Sequence, residues 1–178
     1  MKFGCRLTSE AYIGLGANLG NPRETFEKAL RFIAAFANVV SVSRLYRSAP
    51  FGFHDQPDFV NAVAKLTTEI HPLAFLRKLR KVEQSLGKEV IRENGPRIID
   101  LDLLLLGDHI IDTEELILPH PGIVERDFVL LPLCDLVPER LHPVLQQSFK
   151  ELSTSLVGHH VAGTPEDWYP DLASDRFE

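Results

Sequence analysis

Asp100 and Asp102 stand in NGPRIIDLDLLLLG (94–107), three and five residues beyond Arg97 and inside a run of isoleucines and leucines. In an extended strand, residues two apart share a face and lie about 6.6 Å apart. Both carboxylates then point one way, while Ile99, Leu101, Leu103 and Leu105 point the other, toward a core. Two like charges at that spacing repel by roughly 2.5 kcal/mol at an effective dielectric near 20, so a cation belongs between them. Arginine is one choice, and it makes an ion-paired structural strand. Mg²⁺ is the other: it takes oxygen ligands and commonly uses one or two carboxylates together with substrate phosphates. A carboxylate pair also suits two ions about 3.5–4 Å apart, which clamp the attacking and leaving oxygens of an in-line phosphoryl displacement.

The neighbourhood favours an anionic ligand. Residues 77 to 97 hold seven basic side chains (Arg77, Lys78, Arg80, Lys81, Lys88, Arg92, Arg97) against three acidic ones (Glu83, Glu89, Glu93), whereas the whole chain has a net charge of −6. A solvated basic helix face accounts for part of that excess. Carboxylates and cations flanking a polyphosphate account for both features together. Farther on, His120 in LPHP, then Arg126 and Phe128 in ERDF, place an imidazole, a guanidinium and an aromatic ring within nine residues. A loop histidine satisfied by its surroundings is the plainer reading of His120 alone. There is no GxxxxGK[ST] loop, glycine-rich kinase loop or GxSxG elbow.

These residues need a scaffold, and the hydrophobic periods supply one. AYIGL (11–15) reads as a short buried strand. GANLGNP then turns into a helix, with Asn21 suited to the N-cap, Pro22 at its first position and Phe26, Ala29, Leu30 and Ile33 on one face. VVSVSRLYRSA is a second strand, followed by the Pro/Gly-bounded loop PFGFHDQPD. In FVNAVAKL, from Phe59, the set Val60, Ala62, Ala64, Leu66 makes a buried face, and Phe59, Asn61, Val63, Lys65 a partly open one. After Pro72, Phe75, Leu79, Val82 and Leu86 stripe a second helix capped near Gly87. Lys88 to Gly95 is polar and aperiodic, a loop expected to be mobile, and Ile98 to Leu106 is the fourth strand. The order predicts an α+β fold: a ferredoxin-like β-α-β-β-α-β antiparallel sheet with both helices on one face. The remainder, with a weak helix near residues 148–157, predicts a C-terminal helical flank. The domain layout reads as a mobile leader (1–10), one domain (11–158) and a polar C-terminal tail (159–178).

Composition bounds the rest. The chain has 178 residues, 44% hydrophobic and 25% charged, which fits one soluble domain. No apolar run approaches the roughly 20 residues that span a bilayer, and the start of the chain lacks a signal-peptide pattern, so a cytoplasmic protein with no membrane role is expected. The acidic balance argues against nucleic acid as a partner. Two cysteines, Cys5 and Cys134, form no CxxC or Cys/His cluster, which favours a reduced thiol over a disulfide or metal ligand. Nothing demands more than a monomer.

In order along the chain, AYIGLGANLGNP, LYRSAPFGFHDQPDFVNAV, VEQSLGK, NGPRIIDLDLLLLG and LPHPGIVERDFVLLPLCDLVPE resemble the 6-hydroxymethyl-7,8-dihydropterin pyrophosphokinases of folate biosynthesis. The resemblance runs from about Ala11 to Glu139. It implies a single pyrophosphokinase domain of ferredoxin-like fold, with ATP and the dihydropterin as substrates and two Mg²⁺ ions bound with ATP. By position, Asp100 and Asp102 match the metal-bridging aspartates, and Arg97 an arginine on the phosphates, with Lys88 and Arg92 as further catalytic cations. Phe59, Asn61, Phe128 and the loop at Pro50 and Phe51 match the pterin pocket. Glu83, Arg80, His120 and Arg126 match ATP contacts, and Gly16 and Asn18 fall in the first-loop motif. Lys88 stands where the family often has arginine, Asn94 where it often has tryptophan, and Pro121 where it often has tyrosine. A second reading keeps the pocket without turnover, as a pterin- or nucleotide-binding module. A third, an interaction domain whose D-x-D is only an ion pair, binds neither ligand.

Overall fold

The computed structural model describes residues 8–89 and 94–172. At its centre lies β1 (Ser9–Ala17), paired antiparallel with β4 (Phe59–Thr68) on one side and with β5 (Asp100–Leu106) on the other. Between β1 and β4 the chain forms α1 (Pro22–Ala34), β2 (Asn38–Val42) and β3 (Leu45–Ser48). Helix α2 (Pro72–Ser85) leads from β4 to β5. The expected second strand is thus broken in two, and both pieces pair with β4. The break falls at Ser43, whose hydroxyl accepts the Val63 N–H at 2.9 Å and so takes a bond that a regular ladder would give to backbone.

Side-chain alternation gives the sheet two buried faces. Ala11, Ile13, Leu15 and Ala17 of β1 join Ala62, Ala64 and Leu66 of β4 and Ile99, Leu101 and Leu103 beneath α1 and α2, which contribute Phe26, Leu30, Ile33, Phe75 and Leu79. This is the expected helix layer. The opposite face carries Tyr12, Val63, Leu104 and Leu105, and it is covered as well. After β6 (Ile111–Asp112) and β7 (Ile117–Leu118), a two-stranded ribbon, α3 (Gly122–Glu125), α4 (Asp127–Leu136) and α5 (Phe149–Thr154) roof that face with Ile123, Val129, Leu130, Leu133, Phe149 and Leu152. The helices therefore lie on both sides of the sheet, and Val63, expected on a partly open face, is fully buried. A further correction concerns Leu105. The β1–β5 register shifts between Tyr12 and Ile13, whose partners are Leu105 and Leu103. This bulge turns Leu105 to the Tyr12 side and away from the helix layer where Leu103 lies.

The last strand lies in the segment expected as a tail. Val161–Glu166 forms β8 and pairs antiparallel with β3 at the sheet edge, giving the order β5-β1-β4-β3-β8 with β2 beside β3 on β4. Just beyond it, Trp168 is buried against Phe26 and donates from Nε1 to the Ser43 carbonyl at 2.6 Å. Among the described residues no helix is long and apolar enough to cross a membrane.

Candidate active site

Helix α4 covers the second face of the sheet only part of the way. Past Val63 and Leu104 the face opens into a pocket whose floor is set by strand register. Gly16 of β1 sits between Asp100 of β5 and Asn61 of β4, and Gly14 sits between Asp102 and Val63. A Cβ on Gly16 would lie 3.5 Å from Asn61 Oδ1 and 3.9 Å from Asp100 Cβ; one on Gly14 would lie 3.8 Å from Asp102 Cβ. Neither position needs an unusual backbone angle. Glycine there leaves space above the two carboxylates.

Asp100 is already met by cations. Lys88 Nζ donates to Asp100 Oδ1 and to Glu83 Oε1, each at 2.7 Å, and Arg97 Nη1 lies 3.2 Å from Asp100 Oδ2. Burial opposes the Lys88 charge, but the facing Asp100 and Glu83 carboxylates outweigh it and raise the lysine's pKa. Glu83 is 7% exposed and also accepts the Leu101 N–H at 2.7 Å, so it anchors Lys88 to the β5 backbone. Burial is the largest influence on Glu83 and pushes its carboxyl up despite those bonds.

Asp102 is different. Among the described residues, no hydrogen bond or ion pair reaches its carboxylate. Burial first, then the charge of Asp100, raise its pKa, against weaker pulls from His120, Arg126 and Lys88. No cluster of three His, Cys, Asp or Glu forms a ready metal cage among the described residues. Two adjacent hard-oxygen donors, one lacking a partner, over a floor cleared by glycine nevertheless suit Mg²⁺, which keeps waters or phosphate oxygens in its remaining positions.

Around this floor, the residues picked out by sequence fall into two adjoining cavities. The first is lined by Phe51, Phe59, Asn61, Ser48, Ala49, Asn94, Arg97, Asp100, Asp102, Arg126 and Phe128. Asn61, expected on an open face, is 6% exposed; its amide donates to Ser48 Oγ at 2.9 Å and to the Tyr46 carbonyl at 3.3 Å, which leaves Oδ1 over Gly16 as an acceptor. Phe51 and Phe128 stand 6.4 Å apart between ring centres, with Arg126 4.9 Å from the Phe51 ring and Arg97 5.2 Å from Phe59. Pro50 is buried behind this wall, which its neighbours Ala49 and Phe51 form instead. The second cavity is lined by Leu76, Arg80, Leu103, Leu116, Ile117, His120, Gly122, Glu125 and again by Asp102 and Arg126. His120 Nδ1 accepts the Gly122 N–H at 3.0 Å, so its other nitrogen, Nε2, is the one free to donate. Arg80 shares Glu115 with Arg77. Glu83 and Lys88 line neither cavity; Lys88 reaches the floor at Asp100, and Glu83 acts through Lys88. Arg92 lies outside the described residues, as does the middle of the loop expected to be mobile.

Several residues hold the site together through links that the sequence alone does not show. Asn18, placed only by motif, accepts the Arg97 N–H at 2.8 Å and donates to Gln56 Oε1 and the Pro57 carbonyl, tying the first loop to both pocket loops. Gln56 in turn donates to the Phe53 and Asn94 carbonyls. Asn94 has φ 53°, a left-handed angle that asparagine tolerates, and its side chain packs against Gly52 at a distance no Cβ would fit comfortably. These links join residues far apart in the chain, so only the assembled fold reveals them.

The fold and site define a class: an α+β domain that presents a strand-borne carboxylate pair, fringed by arginine and lysine, at the junction of an aromatic pocket and a second cleft. Residues 12–138 match the model of the 7,8-dihydro-6-hydroxymethylpterin-pyrophosphokinase (HPPK) family, and the chain belongs to that family. It is 43% identical over 135 residues to the 2-amino-4-hydroxy-6-hydroxymethyldihydropteridine pyrophosphokinase of Haemophilus influenzae, covering 75% of this chain and 84% of that protein. It is 37% identical to the protein of the same name from Aquifex aeolicus, over 79% of this chain and 88% of that one. The folic acid synthesis protein fol1 of Pneumocystis carinii is 41% identical across 84% of this chain, which spans only 20% of that longer relative. In three dimensions the Plasmodium falciparum HPPK-DHPS shares the fold, with a TM-score of 0.70 at 18% identity over 84% of this chain and 42% of the other.

Proposed function

We propose that this chain transfers the terminal diphosphate of ATP to the hydroxymethyl oxygen of 6-hydroxymethyl-7,8-dihydropterin, giving the pterin diphosphate and AMP. The observation that carries this reading is the shared lining of the two cavities: Asp102 and Arg126 belong to both, so chemistry at the carboxylates meets both ligands. The aromatic pocket, with the Asn61 Oδ1 acceptor on its floor, suits a flat, polar-edged pterin. The second cleft, with Arg80 and His120 beside apolar Leu76 and Ile117, suits the nucleotide.

In this reading Asp100 and Asp102 hold two Mg²⁺ ions. Held there with ATP, Mg²⁺ would supply charge neutralisation for the transfer. The chain's own groups do the positioning. Lys88, held on Asp100 and Glu83 at 2.7 Å, keeps an ammonium beside the carboxylate pair, where it would meet a phosphate oxygen. Arg97 and Arg126, each stacked on a pocket phenylalanine, present guanidiniums along the edge of the pterin site, and Arg92 adds a further cation. His120 offers an N–H from Nε2. Glu83 fixes Lys88. Transfer forms the bond from the pterin oxygen to the β-phosphorus, breaks the bond from that phosphorus to the oxygen left on AMP, and releases the hydroxyl proton to solvent. No side-chain nucleophile is required, because positioning and charge neutralisation carry such transfers. We place the enzyme in the cytoplasm as a monomer acting on small molecules.

The test is an assay of nucleotide products with ATP, Mg²⁺ and the dihydropterin. AMP should appear in step with pterin diphosphate and only when all three are present. ADP as the product, or pterin binding by calorimetry with no AMP release, would contradict the reading, the latter result favouring a non-catalytic binding module.

A further inference from the structure

The region matched to the family ends at residue 138, yet a residue well beyond it touches the aromatic pocket. The His160 ring packs edge-on against both Phe51 and Phe128, with ring centres 5.6 and 5.8 Å away. Three rings thus form a closed triangle, two of them in the pocket wall and the third behind it. The backbone of His160 is held as firmly as its ring. Its N–H and that of Val161 donate to Asp127 Oδ2 at 2.7 and 2.8 Å, and its carbonyl accepts the Ala49 N–H at 2.9 Å. Asp127 is 3% exposed and begins α4 directly before Phe128, and Ala49 lies two residues before Phe51. The two ends of the wall are therefore fixed to the same residue; beside it, Phe51 meets the Arg126 guanidinium 4.9 Å from its ring, and Phe128 packs against the second core. Phe51 is on an irregular loop and is 40% exposed.

We infer that His160 is a positioning residue for pterin recognition: its ring wedges Phe51 and Phe128 at the separation and tilt that receive a flat heteroaromatic ligand. This rests on the proposed reading that the aromatic pocket takes the pterin. His160 Nδ1 also lies 3.6 Å from Asp127 Oδ1, and the role rests on the two ring contacts. Edge-to-face contacts of this kind hold rings in preferred orientations and are lost when one partner is truncated. The C-terminal segment is thereby part of the substrate site, although its side chain lies outside the pocket lining.

Steady-state kinetics on the full chain separate this role from general support. His160→Ala should raise the KM for the dihydropterin about ten-fold, by loss of two ring contacts, and leave the KM for ATP within about two-fold of wild type. His160→Phe, which keeps a ring, should bring the pterin KM back to within about three-fold. His160→Leu, which fills the volume without a ring, should resemble alanine, and it decides the matter if the alanine variant fails to fold. An unchanged pterin KM in a folded alanine or leucine variant would overturn the role of His160, and so would an equal rise in both KM values. Calorimetric titration of 6-hydroxymethylpterin into the same variants reads the role without turnover. Wild-type protein that binds the pterin but releases no AMP would contradict the pyrophosphokinase reading alone. Wild-type protein that does not bind the pterin would overturn both.

Discussion

Folding disfavours the ionised form of Asp102. Asp100 has Lys88 and Arg97, while Asp102 faces burial and the Asp100 charge with no bonded partner among the described residues. Asp102→Asn should therefore raise the melting temperature at neutral pH by about 2–4 °C, the shift roughly 1 kcal/mol produces in a chain of this size, while removing turnover. The sign follows from the direction of the shift. A carboxyl whose pKa is raised by folding destabilises the fold when ionised, so the gain is present above that raised pKa and disappears as pH falls through it. A lower melting temperature in calorimetry at pH 7 would contradict this account of the residue. Gly16 makes the complementary point about space. Its Cβ would meet only ordinary contacts, so Gly16→Ala should fold with a melting temperature near wild type yet raise the pterin KM several-fold by filling the floor between Asp100 and Asn61; an unchanged KM would show that the floor is not used. The aspartate pair was legible in sequence because strand alternation has a period of two. The glycines opposite them were not legible as a pair with it, because that pairing exists only once β1 and β5 are in register.

Elements were read best where their hydrophobic period is regular. Helices α1 and α2, with one clean apolar stripe each, fell where expected, and β4 runs where expected but is buried on both faces over Asn61–Ala64. Irregular elements hid their reasons in side chains. Ser43 divides the second strand by taking a ladder bond, and the register shift beside Leu104 turns Leu105 to the other face. Helix α4 is apolar around much of its circumference and contains Pro132, so it offers no amphipathic stripe to announce that it roofs the sheet. The turn that leads into α5 carries a pH-dependent element. His142 is 7% exposed, and its Nδ1 accepts the N–H groups of Val144 and Leu145 at 3.3 and 3.2 Å. Burial lowers its pKa from the ordinary 6.5. On acidification the unfolded chain takes up the proton first, so the stability tied to neutral His142 is full above about pH 6.5 and declines as pH falls below it. Urea unfolding of wild type and His142→Asn at pH 7.5 and 5.5 should show the larger loss on acidification in wild type; equal losses would contradict it.

At the scale of the whole molecule, two helix layers enclose one sheet, and the site lies where the second layer stops short. The terminal segment, read from sequence as a polar tail, closes the structure. Its apolar content is sparse, and β8 is mostly exposed, so no periodicity marks it. Trp168 nevertheless reaches the core between Phe26 and the Ser43 carbonyl. Trp168→Ala should cost about 3–5 kcal/mol in urea unfolding, as for other large aromatic truncations in cores, and a cost below about 1 kcal/mol would mean that the segment is not docked as described. Docking of that segment also brings His160 to the pocket wall, so the residues on either side of β8 serve the wall and the core respectively. What the enclosed site does rests on the two carboxylates at the junction of the cavities. The most direct measurement is the rate of AMP release from ATP and dihydropterin at saturating Mg²⁺ by wild type, Asp100→Ala and Asp102→Ala. Each variant should keep its fold by circular dichroism and lose about a thousand-fold or more in rate, the order expected when several kcal/mol of transition-state charge stabilisation is removed. A folded variant of either kind turning over within a few-fold of wild type would contradict the claim.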